Sequence, residues 1–115
     1  MEDNLLFDLN KATEIIGSRK ESLKLISILM SEIEEIKLKI ISFAKLEDKR
    51  QLRDLVHSTI GMAAYCGTPL LSMQLINLQN ELKNHENTTE ESIQTLTTQV
   101  VTTINKMLKV SIDNL

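Results

Sequence analysis

The chain has 115 residues, 42% of them apolar and 25% charged, with 13 Lys and Arg against 16 Asp and Glu for a formal charge of −3. That length suits one domain with its own core, the charge gives no electrostatic case for nucleic acid, and no apolar run approaches the roughly 18 to 20 residues of a membrane helix. A single cysteine, Cys66, excludes an intrachain disulfide and a cysteine cluster for zinc, which fits a reducing cytoplasmic setting.

Three glycines and one proline are few breakers for such a length, so the chain reads as long helices divided at a handful of points. Asp8 caps a short first helix, "LNKATEII", which stops at Gly17. Ser18 with Glu21 forms a capping box that opens a longer second helix, with Leu25, Leu29, Ile33, Ile36, Ile40 and Phe43 as its apolar stripe as far as about Leu46. After the turn "LEDKR", a third helix starts near Asp48 and ends at Gly67, turning Leu52, Leu55, Val56, Thr59, Met62, Ala63 and Cys66 inward. Thr68 then caps a fourth helix with Pro69 at its first position and Leu71, Leu75, Leu78 and Leu82 as its stripe. The pattern frays at "KNHEN". Thr88 and Glu91 form the capping box of a fifth helix, where Ile93, Leu96, Val100, Ile104 and Met107 keep the period towards Ser111 or Ile112. The expected fold is all-α, an antiparallel up-down-up-down four-helix bundle with a short additional N-terminal helix across one end or side. With no repeat, low-complexity tract or linker, residues 1–115 form a single domain whose function sits on its surface.

The stretch "LVHSTIGMAAYCGTP" places His57 in mid-helix and Gly61 one turn later, where glycine costs about 1 kcal/mol relative to alanine. His57 lies off the buried stripe, so its imidazole reaches solvent. Arg53 and Asp54 precede it on the same face, and Ile60, Gly61 and Ala64 follow. Gly61 and Ala64 leave that side bare, and a bare groove beside an exposed imidazole lets another protein's reactive centre approach. On an antiparallel fourth helix, Gln79 falls level with His57, from where its amide can reach one ring nitrogen, fix the tautomer and leave the other nitrogen as nucleophile.

These residues resemble the histidine phosphotransfer (HPt) domains of multistep phosphorelays, whose signature is His, two residues, usually Lys, then Gly, small residues and a Gly-x-Pro-like turn. The corresponding run here is "HSTIGMAAYCGTP". The similarity extends over nearly the whole chain, from "FDLNKATEIIG" through "LRDLVHSTIG" and "LLSMQLINLQNEL" to the last helix, and "AAYCGTP" resembles most the C-terminal HPt domains of BvgS/BarA-like tripartite hybrid sensor kinases. The resemblance implies that His57 takes a phosphoryl group from a receiver-domain aspartate and passes it to a response-regulator aspartate. Gly61 then gives access and Gln79 orients the imidazole. It also implies no cofactor or metal bound by this domain, Mg²⁺ on the partner receiver, and no kinase activity of its own. The partners would be the receiver of a hybrid sensor kinase and a downstream response regulator, met by a monomer without nucleic-acid or membrane contact. Localisation is then cytoplasmic, free or tethered to an inner-membrane sensor kinase.

The sequence departs from the signature at Ile60, where the family usually has Lys. Arg53, Lys37 and Lys39 are the candidates to replace that charge. Ile60, with Ala64, Arg53, Ile15 and Ile16, is the expected docking surface for the receiver. A lone surface histidine is by itself an ordinary solvated side chain, and the joint pattern of His57, Gly61 and Gln79 carries the reading. His85 is expected to be solvated in its polar turn and Cys66 to be a buried packing residue, while "SEIEEIK" reads as a solvated face. Two histidines and one cysteine on separate elements make no metal site. The alternative function is a non-catalytic helical adaptor that binds through an apolar face. A kinase or phosphatase is disfavoured because no glycine-rich nucleotide loop or metal-binding acidic cluster is present.

Overall fold

Local capping chemistry sets most of the helix boundaries in the computed structural model, which describes residues 5–84 and 89–115. Helix α1 (Leu9–Ile16) begins where the Asp8 carboxylate accepts the Lys11 N–H at 3.1 Å and ends at Gly17, whose φ of 90° lets its N–H return to Thr13 O. Helix α2 (Arg19–Lys45) opens on the Ser18 hydroxyl, which accepts the Glu21 N–H at 3.3 Å. Helix α3 (Lys49–Tyr65) opens on Asp48, bonded to the Gln51 N–H at 3.1 Å. Helix α4 (Pro69–Lys83) has proline in its first turn, where no N–H is required. Helix α5 (Glu90–Met107) is capped by Thr89, which accepts the Ser92 N–H at 3.1 Å.

Two caps differ from the sequence reading. The hydroxyl before α5 belongs to Thr89, one residue later than expected; Thr88 and His85 lie outside the described residues. Thr68 holds the position before α4 but donates its hydroxyl back to Ala63 O at 2.9 Å. Its side chain therefore closes the end of α3 instead of capping α4.

The fold is all-helical among the described residues. Helices α2, α3, α4 and α5 form a closed ring of contacts, each against the next and α5 back against α2, while α1 packs on α2 and α3. At about 1.5 Å per residue, the 27 residues of α2 run nearly the full 43 Å of the long axis. Lys49 at the start of α3 pairs with Glu90 at the start of α5 at 3.0 Å. Near the other end, Arg19 at the start of α2 donates to Leu115 O at 2.9 Å.

The buried stripe of α4 is Leu71, Leu75, Leu78 and Leu82, as expected. On α3, Leu52, Val56, Thr59 and Ala63 are buried, whereas Leu55 and Met62 are half-buried at the edge of the stripe. The α2 stripe is rotated. Ser22, Ile26, Leu29, Ile33, Ile40 and Ala44 are fully buried, and Leu25, Ile36 and Phe43 only partly. The cause is that α2 packs on α1, α3 and α5 together, so its covered arc is wider than one apolar seam. Ser22 tolerates this because its hydroxyl donates to Ser18 O at 2.9 Å. On α5, Thr97 and Thr103 are buried beside the expected residues, and Leu96 is half-buried. The helix stops at Met107. Ser111 is exposed, and Ile112 belongs to a short 3₁₀ turn that packs against the core.

Helix α1 sits over the turn between α3 and α4. The Asp8 N–H donates to Gly67 O at 2.7 Å. Gly67 has φ +62°, and a Cβ there would lie 2.5 Å from Asp8 O and 3.0 Å from the Ala12 methyl. Both its backbone conformation and the close approach of α1 require glycine.

Candidate functional site

His57 and Gln79 meet across the α3–α4 seam. The histidine is ten residues before Gly67 and the glutamine twelve after it, which brings them level when α4 runs back along α3 from the turn. His57 Nδ1 lies 3.1 Å from Gln79 Oε1. A carboxamide oxygen only accepts, so Nδ1 carries the proton and donates it, and the Nε2 lone pair is left free. The ring is exposed, whereas Gln79 is half-buried between Leu75, Leu78 and Leu82, three core residues of its own helix. A fixed amide thus holds a mobile kind of side chain in one tautomer and one orientation.

The surroundings of this pair divide along the seam. Arg53, Asp54, His57, Gln79 and Lys83 line a shallow groove of about 380 Å³. Arg53 stands one turn before His57 on α3, and Lys83 one turn after Gln79 on α4, so both lie to the same side of the pair. On the other side, towards Gly67, the seam becomes mainly apolar, with Lys11 of α1 as the one charged side chain lining it. Gly61 is exposed, and a Cβ built there meets nothing within 4 Å. Beyond it, Ile15, Ala64, Met73 and Ile76 line a second groove of about 450 Å³. Ile15, Met73 and Ile76 are 48%, 52% and 44% exposed, high values for large apolar side chains.

The structure therefore brings His57, Gln79 and Arg53 together, leaves Gly61 open, and sets Ile15 and Ala64 in one apolar groove nearby. Ile60 and Ile16 are placed differently. Both are half-buried, and Ile60 packs against the core, so it offers only part of its surface beside His57. The two lysines of α2 are not in the groove. Lys37 donates to Asn105 on α5 at 3.0 Å, and Lys39 pairs with Glu35 on its own helix at 3.4 Å. The ring of helix contacts places α2 beside α3 and α5 and away from α4, which explains why its side chains do not reach the α3–α4 seam.

Lys83, Met73 and Ile76 are the residues that sequence reasoning missed. Their signal was available: Lys83 follows Gln79 by four residues and Ile76 precedes it by three, both on one face of α4.

Elsewhere, burial pushes the Cys66 thiol up to about 11, and its sulfur approaches Leu25 O at 3.6 Å. It is a packing residue in its protonated form. A larger cavity of about 580 Å³, lined by residues that include Asn10, Arg19, Lys109 and Asn114, shares no residue with the His57 groove. Among the described residues no group of His, Cys, Asp and Glu is placed to hold a metal ion, and no helix is long and apolar enough to cross a membrane. No family model matches the chain, and no curated protein or solved structure matches it significantly.

Proposed function

We propose that the chain is a histidine phosphotransfer domain of a two-component phosphorelay, in which His57 accepts a phosphoryl group from a receiver-domain aspartate and hands it to a response-regulator aspartate. The observation that carries this reading is the 3.1 Å bond from Nδ1 to Gln79 on an exposed ring. It leaves Nε2 as the nucleophile. The Nε2 lone pair forms the N–P bond while the aspartyl P–O bond breaks and the carboxylate leaves with its electron pair. The Nδ1 proton stays on the ring, where the Gln79 oxygen faces the positive charge that the phosphorylated imidazole acquires. Reversal of the same step delivers the phosphoryl group to the next aspartate.

Mg²⁺ and most groups that stabilise the developing charge belong to the receiver, so this domain presents a rigid nucleophile and carries no kinase activity of its own. In this reading α2 to α5 make an up-down-up-down four-helix bundle with α1 laid over one end. The closed ring of contacts supports it, as does the Lys49–Glu90 pair between the starts of α3 and α5. The partners are the receiver of a hybrid sensor kinase and a downstream response regulator. The domain acts as a cytoplasmic monomer, free or tethered to the kinase.

A phosphorylated receiver should label the wild-type chain in an acid-labile, base-stable form, the signature of a phosphoramidate. His57→Gln should abolish the label and leave the circular dichroism spectrum unchanged. Equal labelling of that variant would overturn the assignment. A non-catalytic adaptor would need only the apolar groove of Ile15, Ala64, Met73 and Ile76, and its signalling would survive His57→Gln intact.

A further inference from the structure

We infer that Lys83, reaching across from α4 with Arg53 opposite it on α3, is the side chain that holds the phosphoryl group on His57, in place of the lysine that Ile60 displaces. The inference rests on the phosphotransfer reading, and three observations carry it. First, the position one turn after the histidine offers no cation: Ile60 is apolar and packs against the core, and Gly61 has no side chain. Second, the other basic candidates are committed elsewhere, Lys37 to Asn105 and Lys39 to Glu35. Third, the groove that contains His57 and Gln79 also contains Arg53 and Lys83, and neither is engaged in an ion pair among the described residues.

Geometry makes the two cations a matched pair. They project from facing helices, each one turn from the His57–Gln79 bond and to the same side of it. Because Nδ1 is occupied by Gln79, the phosphoryl group on Nε2 stands away from the seam, where short side chains do not reach and a lysine stem does. Lys83 is exposed, so its ammonium swings freely until an anion fixes it. Asp54 on the same rim is the one acidic residue of the groove and opposes the phosphoryl charge. The site is therefore polarised along the seam, with anion binding at the Arg53–Lys83 end and apolar contact at the Ile76–Ala64 end.

Phosphoramidate, used alone as phosphodonor, tests this without any receiver. Nε2 attacks phosphorus, the donor P–N bond breaks and ammonia leaves from the protonated nitrogen. Labelling rate and phosphohistidine lifetime would be followed by ³¹P NMR in wild type, Lys83→Ala, Lys83→Arg and His57→Gln. Lys83→Ala should label more slowly and lose its phosphoryl group about three- to fivefold faster, and Lys83→Arg should restore both. Added salt should shorten the wild-type lifetime more than that of Lys83→Ala, which keeps only Arg53, a difference that a purely structural lysine would not give. Wild-type rate and lifetime in Lys83→Ala would overturn the inference and leave the phosphotransfer reading standing. Absence of label from wild type, or equal label in His57→Gln, would instead overturn the phosphotransfer reading itself.

Discussion

Glycine in mid-helix at position 61 lowers the stability of α3 by about 1 kcal/mol relative to alanine, and no neighbour requires it. Its use is the open surface next to His57. Gly61→Ala should therefore raise the melting temperature or leave it unchanged, because the new methyl meets nothing within 4 Å. Gly61→Gln should slow transfer from a phosphorylated receiver by obstructing the approach to the imidazole, and normal kinetics in that variant would show that the bare surface is not needed. Cys66 illustrates a residue with the opposite logic, since it is buried and burial holds its thiol protonated. Its folded thiol, pushed up to about 11, holds a proton more tightly than the unfolded thiol, so folding stability is full at neutral pH and declines as pH rises from about 9 towards 11. The advantage of wild type over Cys66→Ala in urea unfolding should accordingly shrink by about 2 kcal/mol across that interval. An advantage that stays constant with pH would mean that the thiol is hydrated in the folded chain.

Among the elements, the turn between α3 and α4 is the part most constrained by its own residues. Gly67 takes φ +62° and lies under the Asp8 carbonyl, so Gly67→Ala combines left-handed strain of about 1–2 kcal/mol with a backbone clash. That variant should lose at least about 2 kcal/mol and release α1, which hydrogen exchange would detect as lost protection at Ala12 and Thr13. Unchanged protection there would place the anchor of α1 elsewhere. This turn was legible in the sequence, since Gly67 and Pro69 have few other uses in such a context, and so was α4, whose Leu71, Leu75, Leu78 and Leu82 leave no second choice of face. His57 and Gln79 were legible for a related reason: a short turn converts sequence distance into height along two helices. What could not be read was set by rotation about helix axes. Ile26 and Leu25 are adjacent on α2, and only contact with three neighbouring helices decides that Ile26 is the one fully covered. Thr68 could bond forwards or backwards with equal local chemistry, and it bonds to Ala63. Lys83 joins the groove through the reach of its stem, which spacing along α4 suggests but does not fix.

At the scale of the whole molecule, the ring of α2 to α5 makes a rigid frame, and the α3–α4 seam with α1 is the face on which apolar surface, an open glycine and a held imidazole coincide. Arg53 and Lys83 flank His57 at one end of that seam, and large exposed apolar side chains with Lys11 line the other, so in the phosphotransfer reading a partner that meets His57 covers both at once. The apolar end is the one expected to supply affinity, because burial of large exposed side chains is favourable at about 25 cal/mol per Å² while exposed ion pairs contribute little. Ile76 and Met73 are the exposed large apolar residues of that end on α4, and Ile15 joins them from α1. Ile60 contributes less to docking, because its half-buried side chain already packs within the domain. Ile76→Asp should therefore weaken receiver binding about tenfold or more in titration calorimetry and lower labelling by phosphoramidate far less, since that donor docks on no apolar surface and His57, Gln79 and Lys83 are unchanged. Ile60→Ala should show the reverse balance, with a stability loss of about 1–2 kcal/mol in urea and a smaller change in receiver affinity. Receiver affinity that falls more for Ile60→Ala than for Ile76→Asp would move the docking surface away from the apolar groove and onto the turn of α3 that carries Gly61.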